Sequence, residues 1–526
     1  MTRKFTIREW LPAVLLVTGS FLFFFFFYPY HNLFKEQMTL FLHSGDYFFT
    51  FIGKPAWLTR YIGEFLTQFY IVPAGGALIL TGAFLAAWIL FRSYLIRCGL
   101  QRSIASWIAL LLIIPEFLFH GSLYYPLSST LSGLMALGAV LAFTGLRPSL
   151  YKWLFLPAAP LLYYLTGHGL FLFTFLWLVY GFIRKDGKRY YALLLLLISL
   201  SFPLLMRSVF QLTPKQAYTY PLKAPLSARM DFTLEKILAM DYAAQQGNWT
   251  RVLFLAQKYQ LNNSMAAYYT NLALSQTRLM GDWLFQFHQP GPGGLFLPVS
   301  PESTSLAIVF SNEVFFSLGD MNMAQHSAML GMIFSQDHRS VRLTKRLAEI
   351  HLLTEDYPAA DKYLGLLDKT LFYRRWPNEL PEHITLEHTI LREKIPSVEA
   401  IRHSADYTTS LEILLQSHPD NAPALDYLLC FHLLNKDIPG FRRTYDTWYP
   451  AAKNKVPEVY AQALLVSLYR EGASSKIIEQ YDIPAATVSR FIEYTKAFEK
   501  AGGMSAPLQE EYGKTFWFYY HFILFE

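Results

Sequence analysis

The sequence predicts an all-α protein: a seven-helix transmembrane bundle over residues 1–210, a linker over 211–224 and a helical-repeat domain over 225–526. Three observations predict it. Apolar segments fill the first part of the chain, and several approach the ~20 residues that cross a bilayer as a helix. Lys and Arg concentrate in alternate connections between these segments. After Gln211 the sequence becomes amphipathic and contains a motif that recurs at a near-constant spacing.

Apolar segments define the predicted spans. The first, LPAVLLVTGSFLFFFFFYPY, has no charged residue and no small-residue cleavage site, so it is expected to remain as an uncleaved span. Gly167-His168-Gly169 divides the stretch 152–183, which is too long for one ordinary span. The seven predicted spans are residues 11–30, 70–92, 104–120, 123–145, 152–166, 168–183 and 190–210.

Positive charges predict the orientation of the spans. Basic residues precede the first span and occupy the connections between spans two and three, four and five, and six and seven. The connections at 121–122 and 167–169 contain neither Lys nor Arg. Because Lys and Arg collect on the cytoplasmic side of a membrane, seven spans place the N-terminus in the cytoplasm and everything after Phe210 outside.

The first outside loop, residues 31–69, is long and rich in aromatic residues. Two amphipathic helices are predicted in it, before and after Lys54-Pro55. In the second, an aromatic stripe repeats every four residues, at Trp57, Tyr61, Phe65 and Phe69. Helices of this type lie in the membrane interface. They form either a packing collar on the bundle or a loop that faces a substrate.

A short motif recurs after residue 225: a turn followed by an aromatic residue or Met, as in QQGNWTRVLFLAQKY, RLMGDWLFQF, SLGDMNMAQHSAML and TEDYPAADKYLGLL. Its key residues, Trp249, Trp283, Met321 and Tyr357, are 34, 38 and 36 residues apart. The pattern resembles the tetratricopeptide repeat. That resemblance implies a right-handed stack of antiparallel helix pairs, with these four side chains buried between helices and a protein partner bound by the repeats.

Two segments stand apart from the repeats. Residues 285–303, FQFHQPGPGGLFLPVSPES, are rich in Pro and Gly and cannot be helical through their middle. They form either a contact surface or a passive insertion. The chain ends in FWFYYHFILFE, which is too short to span a bilayer. This tail is expected to pack on the last repeats or to touch the membrane surface.

Composition and motifs exclude several function classes. The sequence contains no hydrolase elbow, phosphate-binding loop, HExxH motif or dinucleotide fingerprint. Cys98 and Cys430 form no CxxC or metal-ligand spacing. The net charge of +6 includes no dense Lys/Arg run. We therefore expect no cofactor, no metal site and no nucleic-acid partner.

Ionisable residues near the outer ends of the spans form the candidate site, because charge at that depth is costly and often functional. Glu36 and Asp46 in the first loop are the candidate catalytic carboxylates. The candidate substrate-binding residues are Arg60, Glu116, His120, His168 and Arg207. Together they would surround a wet cavity in which an arginine faces a phosphate. The alternative is that each is a snorkelling residue at a helix end.

Residues 1–210 resemble the GT-C glycosyltransferases in layout: a multi-span module with a long first outside loop, where Glu36 and Asp46 occupy the place of an acidic residue. The whole chain resembles an uncharacterised family of Gram-negative bacterial membrane proteins, which implies a multi-pass inner-membrane protein with a periplasmic repeat domain. Two functions are consistent with these features. One is a non-catalytic protein that sits in the lipid bilayer and recruits a protein partner for envelope assembly. The other is a transferase that takes a sugar from a polyprenyl-phosphate lipid.

Overall fold

The computed structural model of the chain describes residues 7–146, 148–184, 188–222, 224, 226–300, 302–376, 389, 391–396, 406–449, 456–473 and 475–523. Within these residues the regular elements are helices, and none is a strand. The all-α class predicted from the sequence is therefore confirmed. The chain divides into two compact units, Met1–Glu235 with Leu366–Arg375, and Lys236–Gly365 with Trp376–Glu526.

The first unit contains the apolar helices. They are α1 (Ile7–Leu22), α2 (Pro29–Gln37), α3 (Gly45–Ile52), α4 (Trp57–Thr67), α5 (Gly75–Arg97), α6 (Arg102–Phe119), α7 (Leu127–Gly145), α8 (Pro148–Thr166), α9 (Gly169–Arg184), α10 (Lys188–Met206) and α11 (Pro214–Thr219). A π-helical turn, Phe23–Phe27, extends α1. Pro29 then begins α2, because proline is favoured at the first position of a helix.

Every predicted span falls on a helix, but the number of spanning helices differs from the prediction. Within the described residues, four are long and apolar enough to cross a membrane: Arg8–Phe27, Gly75–Arg97, Arg102–Phe119 and Leu127–Gly145. The structure thus gives four candidate spans where the sequence predicted seven. The helices α9 and α10 fall short because their described apolar parts, Gly169–Arg184 and Leu193–Met206, have fewer than 18 residues. In α8, several side chains lie outside the described residues.

Two glycines allow the backbone to approach closely within the first unit. A Cβ on Gly63 in α4 would lie 2.8 Å from the backbone nitrogen of Ser128 in α7, so the two helices meet at van der Waals contact. Gly167 separates α8 from α9 with a φ of +60°, and a Cβ there would lie 2.2 Å from the carbonyl oxygen of Tyr220. The Gly-His-Gly segment therefore turns the chain between two helices, as the sequence predicted.

Charged groups bring four helix ends together. Glu9, in the first turn of α1, pairs with Arg92 near the end of α5 at 2.9 Å. Arg97 at the end of α5 donates to Thr144 Oγ1 in α7 at 2.5 Å. Arg184 at the end of α9 donates to the carbonyl oxygen of Arg97 at 2.6 Å. The start of α1 and the ends of α5, α7 and α9 therefore lie at one end of the first unit.

The loop 31–69 forms α2, α3 and α4 and packs against the bundle. The predicted aromatic stripe of α4 contacts the buried side chains of Phe41, Tyr47 and Phe51. The opposite face of α4 meets α7, where Ser132 Oγ donates to Thr59 Oγ1 at 3.0 Å. These contacts match the packing collar that was one of the two alternatives for this loop.

The second unit is a succession of helices. Those that lie wholly or mostly in it are Phe232–Gln245, Trp249–Tyr259, Ser264–Gln276, Met280–Trp283, Ser305–Leu318, Met321–Phe334, Val341–Leu353, Tyr357–Asp368, Tyr407–Ser417, Ala422–Leu434, Ile438–Trp448, Glu458–Arg470, Ser475–Glu479, Ala485–Lys500, Ala506–Tyr512 and Phe516–Phe522. Helices adjacent in sequence commonly pack against each other. The right-handed solenoid remains a prediction.

The recurring motif marks helix starts at three of its four positions and a buried side chain at one. Trp249, Met321 and Tyr357 are each the first residue of a helix. The side chain before each one caps that helix; Asn248, for example, accepts from the backbone N–H of Arg251 at 3.0 Å. Trp249 is half-buried. Met321 is buried as predicted, but Trp283 and Tyr357 are 41% and 56% exposed. The prediction of burial is wrong for these two, because the repeated signal is the turn itself.

The core of the second unit contains a buried ionic network. Arg342 donates to both carboxylate oxygens of Asp241, at 2.7 and 2.8 Å, and to Glu313 at 2.8 Å. Arg346 reaches the other oxygen of Glu313 at 2.5 Å, and the hydroxyl of Tyr269 donates to Asp241 at 2.5 Å. Four helices are connected by these groups, so the network specifies how they pack.

The C-terminal aromatic segment packs within the second unit. Trp517 is fully buried, and its indole N–H donates to the carbonyl oxygen of Gln462 at 3.0 Å. The hydroxyl of Tyr519 donates to the carbonyl oxygen of Leu434 at 2.8 Å. This is the first of the two placements expected for the tail, against the last helices.

Candidate functional site

Glu36, a predicted catalytic carboxylate, is buried near the end of α2. The hydroxyl of Tyr373 lies 3.0 and 2.9 Å from its two carboxylate oxygens. Tyr373 is held there because its segment docks on the first loop: the N–H of His43 donates to the carbonyl oxygen of Lys369 at 2.7 Å, and Phe372 packs on Phe69. Glu36 is therefore engaged by a residue far away in the sequence.

Lys35 precedes Glu36 and points toward the end of α6. Its ammonium donates to the carbonyl oxygen of His120 at 3.2 Å. Burial lowers the pKa of Lys35 from 10.5 to about 7, because a charged group loses its hydration there. Burial and the nearby Lys35 charge also hold the pKa of His120 well below its usual value. His120 is consequently a neutral imidazole near neutral pH.

Glu116 and His120 lie one helical turn apart and share partners. His120 Nε2 is 2.7 Å from Thr130 Oγ1 in α7 and 3.8 Å from Glu116 Oε1. The hydroxyl of Tyr125 donates to the same Glu116 oxygen at 2.8 Å. Burial, followed by the charge of Glu116, raises the pKa of Tyr125. Hydrogen bonds among these residues connect the end of α6 with the start of α7.

A second buried set lies beside this one and was not predicted. His31 Nδ1 is 2.5 Å from Glu235 Oε2, and the backbone N–H groups of Tyr30 and His31 donate to the Glu235 carboxylate at 2.8 and 3.0 Å. The Tyr28 hydroxyl lies 3.0 Å from His31 Nε2 and donates to the carbonyl oxygen of Gly121 at 2.9 Å. Burial lowers the pKa of His31, although Glu235 opposes the shift. His31 and Glu235 are both buried and contact each other. We therefore interpret this arrangement as structural.

Arg60 and His168 belong to a different group around Tyr220. Arg60 donates to the Tyr220 hydroxyl at 2.6 Å and to Glu64 at 3.1 Å. The backbone N–H of His168 donates to the carbonyl oxygen of Tyr220 at 2.9 Å, and burial lowers the pKa of the His168 side chain. The hydroxyl of Tyr47 completes the set, donating to Glu64 at 2.7 Å.

The structure distributes the seven predicted site residues over four environments. Glu36 meets Tyr373. Glu116 and His120 are brought together, with Lys35 beside them. Arg60 and His168 share Tyr220 instead. Asp46 and Arg207 are both exposed, and neither forms a side-chain hydrogen bond or ion pair within the described part of the chain. The contacts thus do not unite the residues around a single centre.

Sequence reasoning missed the partners that hold these groups. Glu235 is 204 positions from His31, and Tyr373 is 337 positions from Glu36. Neither lies in an apolar span or in a spacing typical of a site, and neither pairing was predicted from the sequence. Lys35 did carry a signal, since it stands next to Glu36 in a loop that was expected to face the membrane boundary.

Comparison with known proteins gives a family whose function is unknown. The model of one family, described as "Family of unknown function (DUF6057)", matches residues 3–523 of the chain. No curated protein and no solved structure matches it.

Proposed function

The chain belongs to this family of unknown function over residues 3–523, and from that premise we propose that it is an integral inner-membrane protein with a non-catalytic role. The apolar helices of the first unit anchor it in the lipid bilayer, with the N-terminus in the cytoplasm. The second unit is then a periplasmic, tetratricopeptide-like repeat domain that binds a protein partner in envelope assembly.

The state of Glu36 is the observation that carries the non-catalytic proposal. A general base needs a carboxylate oxygen within hydrogen-bond reach of a substrate. Both oxygens of Glu36 instead receive the Tyr373 hydroxyl, at 3.0 and 2.9 Å. The other candidate, Asp46, is exposed, and its side chain forms no ion pair with an arginine of the described residues. A carboxylate held by the protein's own tyrosine supports a structural role.

Two features of the first unit support the membrane arrangement: exposed apolar side chains along its helices, and a cluster of arginines at one end. Large apolar side chains remain exposed along α1, α5, α6, α9 and α10, including Phe26, Leu78, Leu111, Phe175 and Leu205. A soluble monomer rarely exposes so many of them. Three arginines, Arg92, Arg97 and Arg184, lie together at one end of the unit. Their segregation favours a cytoplasmic position for that end, and seven spans remain the proposed arrangement.

A polyprenyl-phosphate-dependent glycosyltransferase is the second candidate. Its support is the polar group formed by the half-buried Lys35 and Glu116 and the buried His120. This group lies beside the end of α6 and includes a lysine whose pKa is about 7. Perturbed ionisable groups are frequent at active sites. In this alternative Glu36 is the base, and Tyr373 would have to leave it when a donor binds.

Complementation of a deletion strain separates the two functions. We would compare envelope glycans, lipid-linked sugars and growth in cells that lack the gene or express the wild type, Glu36→Gln or Asp46→Asn. The non-catalytic role predicts that both variants restore the wild-type glycan profile when their expression is matched. If Glu36→Gln reproduces the glycan defect of the deletion at normal abundance, the transferase is correct and the scaffold proposal fails.

A further inference from the structure

The second unit contains a cavity of about 750 Å³ that neither proposed function uses. The helices Trp249–Tyr259 and Ser264–Gln276 form two of its walls. Residues 283–288 supply a third wall, and Gly513-Lys514 closes one side. A volume of this size is within the range of roughly 300–1,000 Å³ that is usual for sites that bind a small molecule or a short polymer segment.

A buried pair of amides fixes the Pro/Gly-rich segment that forms the third wall. Asn271 and Gln289 exchange two hydrogen bonds, each 3.0 Å long. Asn271 also donates to the carbonyl oxygen of Gly294 at 2.9 Å, and Gln289 donates to that of Leu284 at 2.8 Å. The segment is thus attached to the helix Ser264–Gln276 at Gln289 and at Gly294. The wall is ordered by its own hydrogen bonds and does not depend on a ligand.

The side chains around the cavity have unused hydrogen-bonding capacity. Seven polar side chains line it. The hydroxyl of Thr270 donates to the carbonyl oxygen of Ala266 at 2.7 Å. The other six make no side-chain hydrogen bond within the described residues: Gln257, Gln260, Asn262, Gln286, His288 and Lys514. Four of these are amides, which present both a donor and an acceptor. They differ from Asn271 and Gln289 nearby, whose amides are fully engaged.

An aromatic surface accompanies the free polar groups. Trp283 lines the cavity with 41% of its surface exposed, and Phe287 lies beside it, half-buried. No Asp or Glu is among the described lining residues. Burial lowers the pKa of His288, which leaves it neutral near pH 7. Lys514 is then the one cation among the described lining side chains.

We propose that this cavity binds a segment of a neutral oligosaccharide. Each sugar hydroxyl is both donor and acceptor, which matches a ring of free amides, and the apolar C–H face of a pyranose fits an exposed indole ring. A helical peptide would require a continuous apolar groove, and an anionic ligand would require more than one cation. The inference deepens the proposed function, because a glycan-binding site gives the second unit an envelope ligand, and it rests on that unit being the presenting domain.

Binding is measured on the full-length protein in lipid nanodiscs, since sugar-based detergents would compete for the site. The probes are tetramers of α- and β-linked glucose, mannose and N-acetylglucosamine. The binding of each is measured by isothermal titration calorimetry. Each binding tetramer is tested free and as a lipid conjugate in the nanodisc, to show whether a soluble or a lipid-linked glycan is preferred. A proline-rich hexapeptide and a glycine–serine hexapeptide serve as the peptide arm.

We expect at least one tetramer to bind with a Kd below about 1 mM. Gln257→Ala and Gln286→Ala should each weaken binding about tenfold, as the loss of a hydrogen bond to a ligand does, and Trp283→Ala should abolish it. Lys500→Ala, an exposed lysine outside the cavity, is the matched control and should bind as the wild type does.

Three results would overturn the glycan site: no tetramer binds at ~10 mM, which is about tenfold above the expected upper limit of the Kd; only a peptide binds; or the Gln257→Ala/Gln286→Ala double variant binds normally. Failure of the proposed function looks different, because it appears in the complementation of Glu36→Gln or in membrane orientation. Neither of those outcomes affects a titration on purified protein.

Discussion

In the second unit the guanidinium of Arg342 lies between Asp241 and Glu313, whereas in the first unit the ammonium of Lys35 meets the carbonyl oxygen of His120. Both cations are removed from water, yet their ionisation responds in opposite directions. Burial opposes the charge of Arg342, but the two carboxylates raise its pKa well above the usual value. Lys35 has no such compensation, and burial brings its pKa to about 7.

The difference shows that the two units meet the cost of burying ionisable groups in separate ways. The second unit pairs charge with charge, so its network is stable only when it is complete. Around His120 and His168 the first unit uses hydroxyls, imidazoles and backbone oxygens, as in the contacts of His120 with Thr130 and of His168 Nδ1 with the carbonyl oxygen of Tyr220. The first unit also has ion pairs, such as Arg60 with Glu64, which do not involve Lys35. A network of the first type fixes packing, and one of the second type can change its protonation near neutral pH.

The largest effect should come from breaking the complete network. Arg342→Met leaves Asp241 and Glu313 buried without their cation, which we expect to destabilise the second unit by about 3–5 kcal/mol. Hydrogen exchange in the full-length protein should show lost protection in the helices Phe232–Gln245 and Ser305–Leu318. Arg443→Met, at an exposed arginine, should leave protection unchanged. Equal protection in both variants would show that the network does not hold these helices together.

A smaller loss of stability is expected in the first unit, where Gly167 lies against the carbonyl oxygen of Tyr220. Gly167→Ala places a methyl group 2.2 Å from the Tyr220 oxygen and forces alanine into a φ of +60°. The combined strain and displacement should cost about 2–4 kcal/mol and lower the thermal midpoint of the solubilised protein. Gly138→Ala, where nothing lies within 4 Å of the added Cβ, is the control. If the two variants melt together, the contact of His168 with Tyr220 is dispensable.

Lys35 gives a pH dependence whose sign follows from its lowered pKa. At and below about pH 7 the lysine is charged in both the folded and unfolded states, so the wild type bears the full cost of burying it. Between about 7 and 10.5 the unfolded chain binds more protons than the folded one, and stability rises with pH. Lys35→Met should therefore be more stable than the wild type near pH 7, with the advantage shrinking toward pH 10. An advantage that is constant over this range, measured by thermal denaturation, would mean that Lys35 keeps an ordinary pKa.

The smallest stability effect should come from the cavity of the second unit. Trp283→Ala removes a ring that is 41% exposed, and we expect a loss below about 1 kcal/mol. Trp517→Ala removes a fully buried ring and should cost about 3–5 kcal/mol. A comparison of thermal midpoints tests the contrast. A large loss of stability for Trp283→Ala would indicate that its ring is buried, as the repeat resemblance implied.

Features encoded locally were predictable from the sequence, and features formed between distant residues were not. Hydropathy located every helix of the predicted spans, and Gly167 with Gly169 marked a true break. The seven-span count included α9 and α10, whose described apolar parts, Gly169–Arg184 and Leu193–Met206, have fewer than 18 residues. In the candidate site, Glu116 and His120 were found because they lie one turn apart on a helix. The pairing of Asp241 with Arg342 spans 101 positions, and no periodicity reports it.

The orientation of the two units in the membrane tests the central claim most directly. Single cysteines are introduced at Gln101, between α5 and α6, and at Gln480 in the second unit; both positions are exposed, whereas the native Cys98 and Cys430 are buried. Spheroplasts are treated with a membrane-impermeant maleimide before and after permeabilisation, with the wild type as background. We predict that Gln480→Cys is labelled in intact spheroplasts and Gln101→Cys only after permeabilisation. The reverse pattern, or labelling of both residues from the same side, would contradict a periplasmic domain anchored by an N-terminal membrane unit.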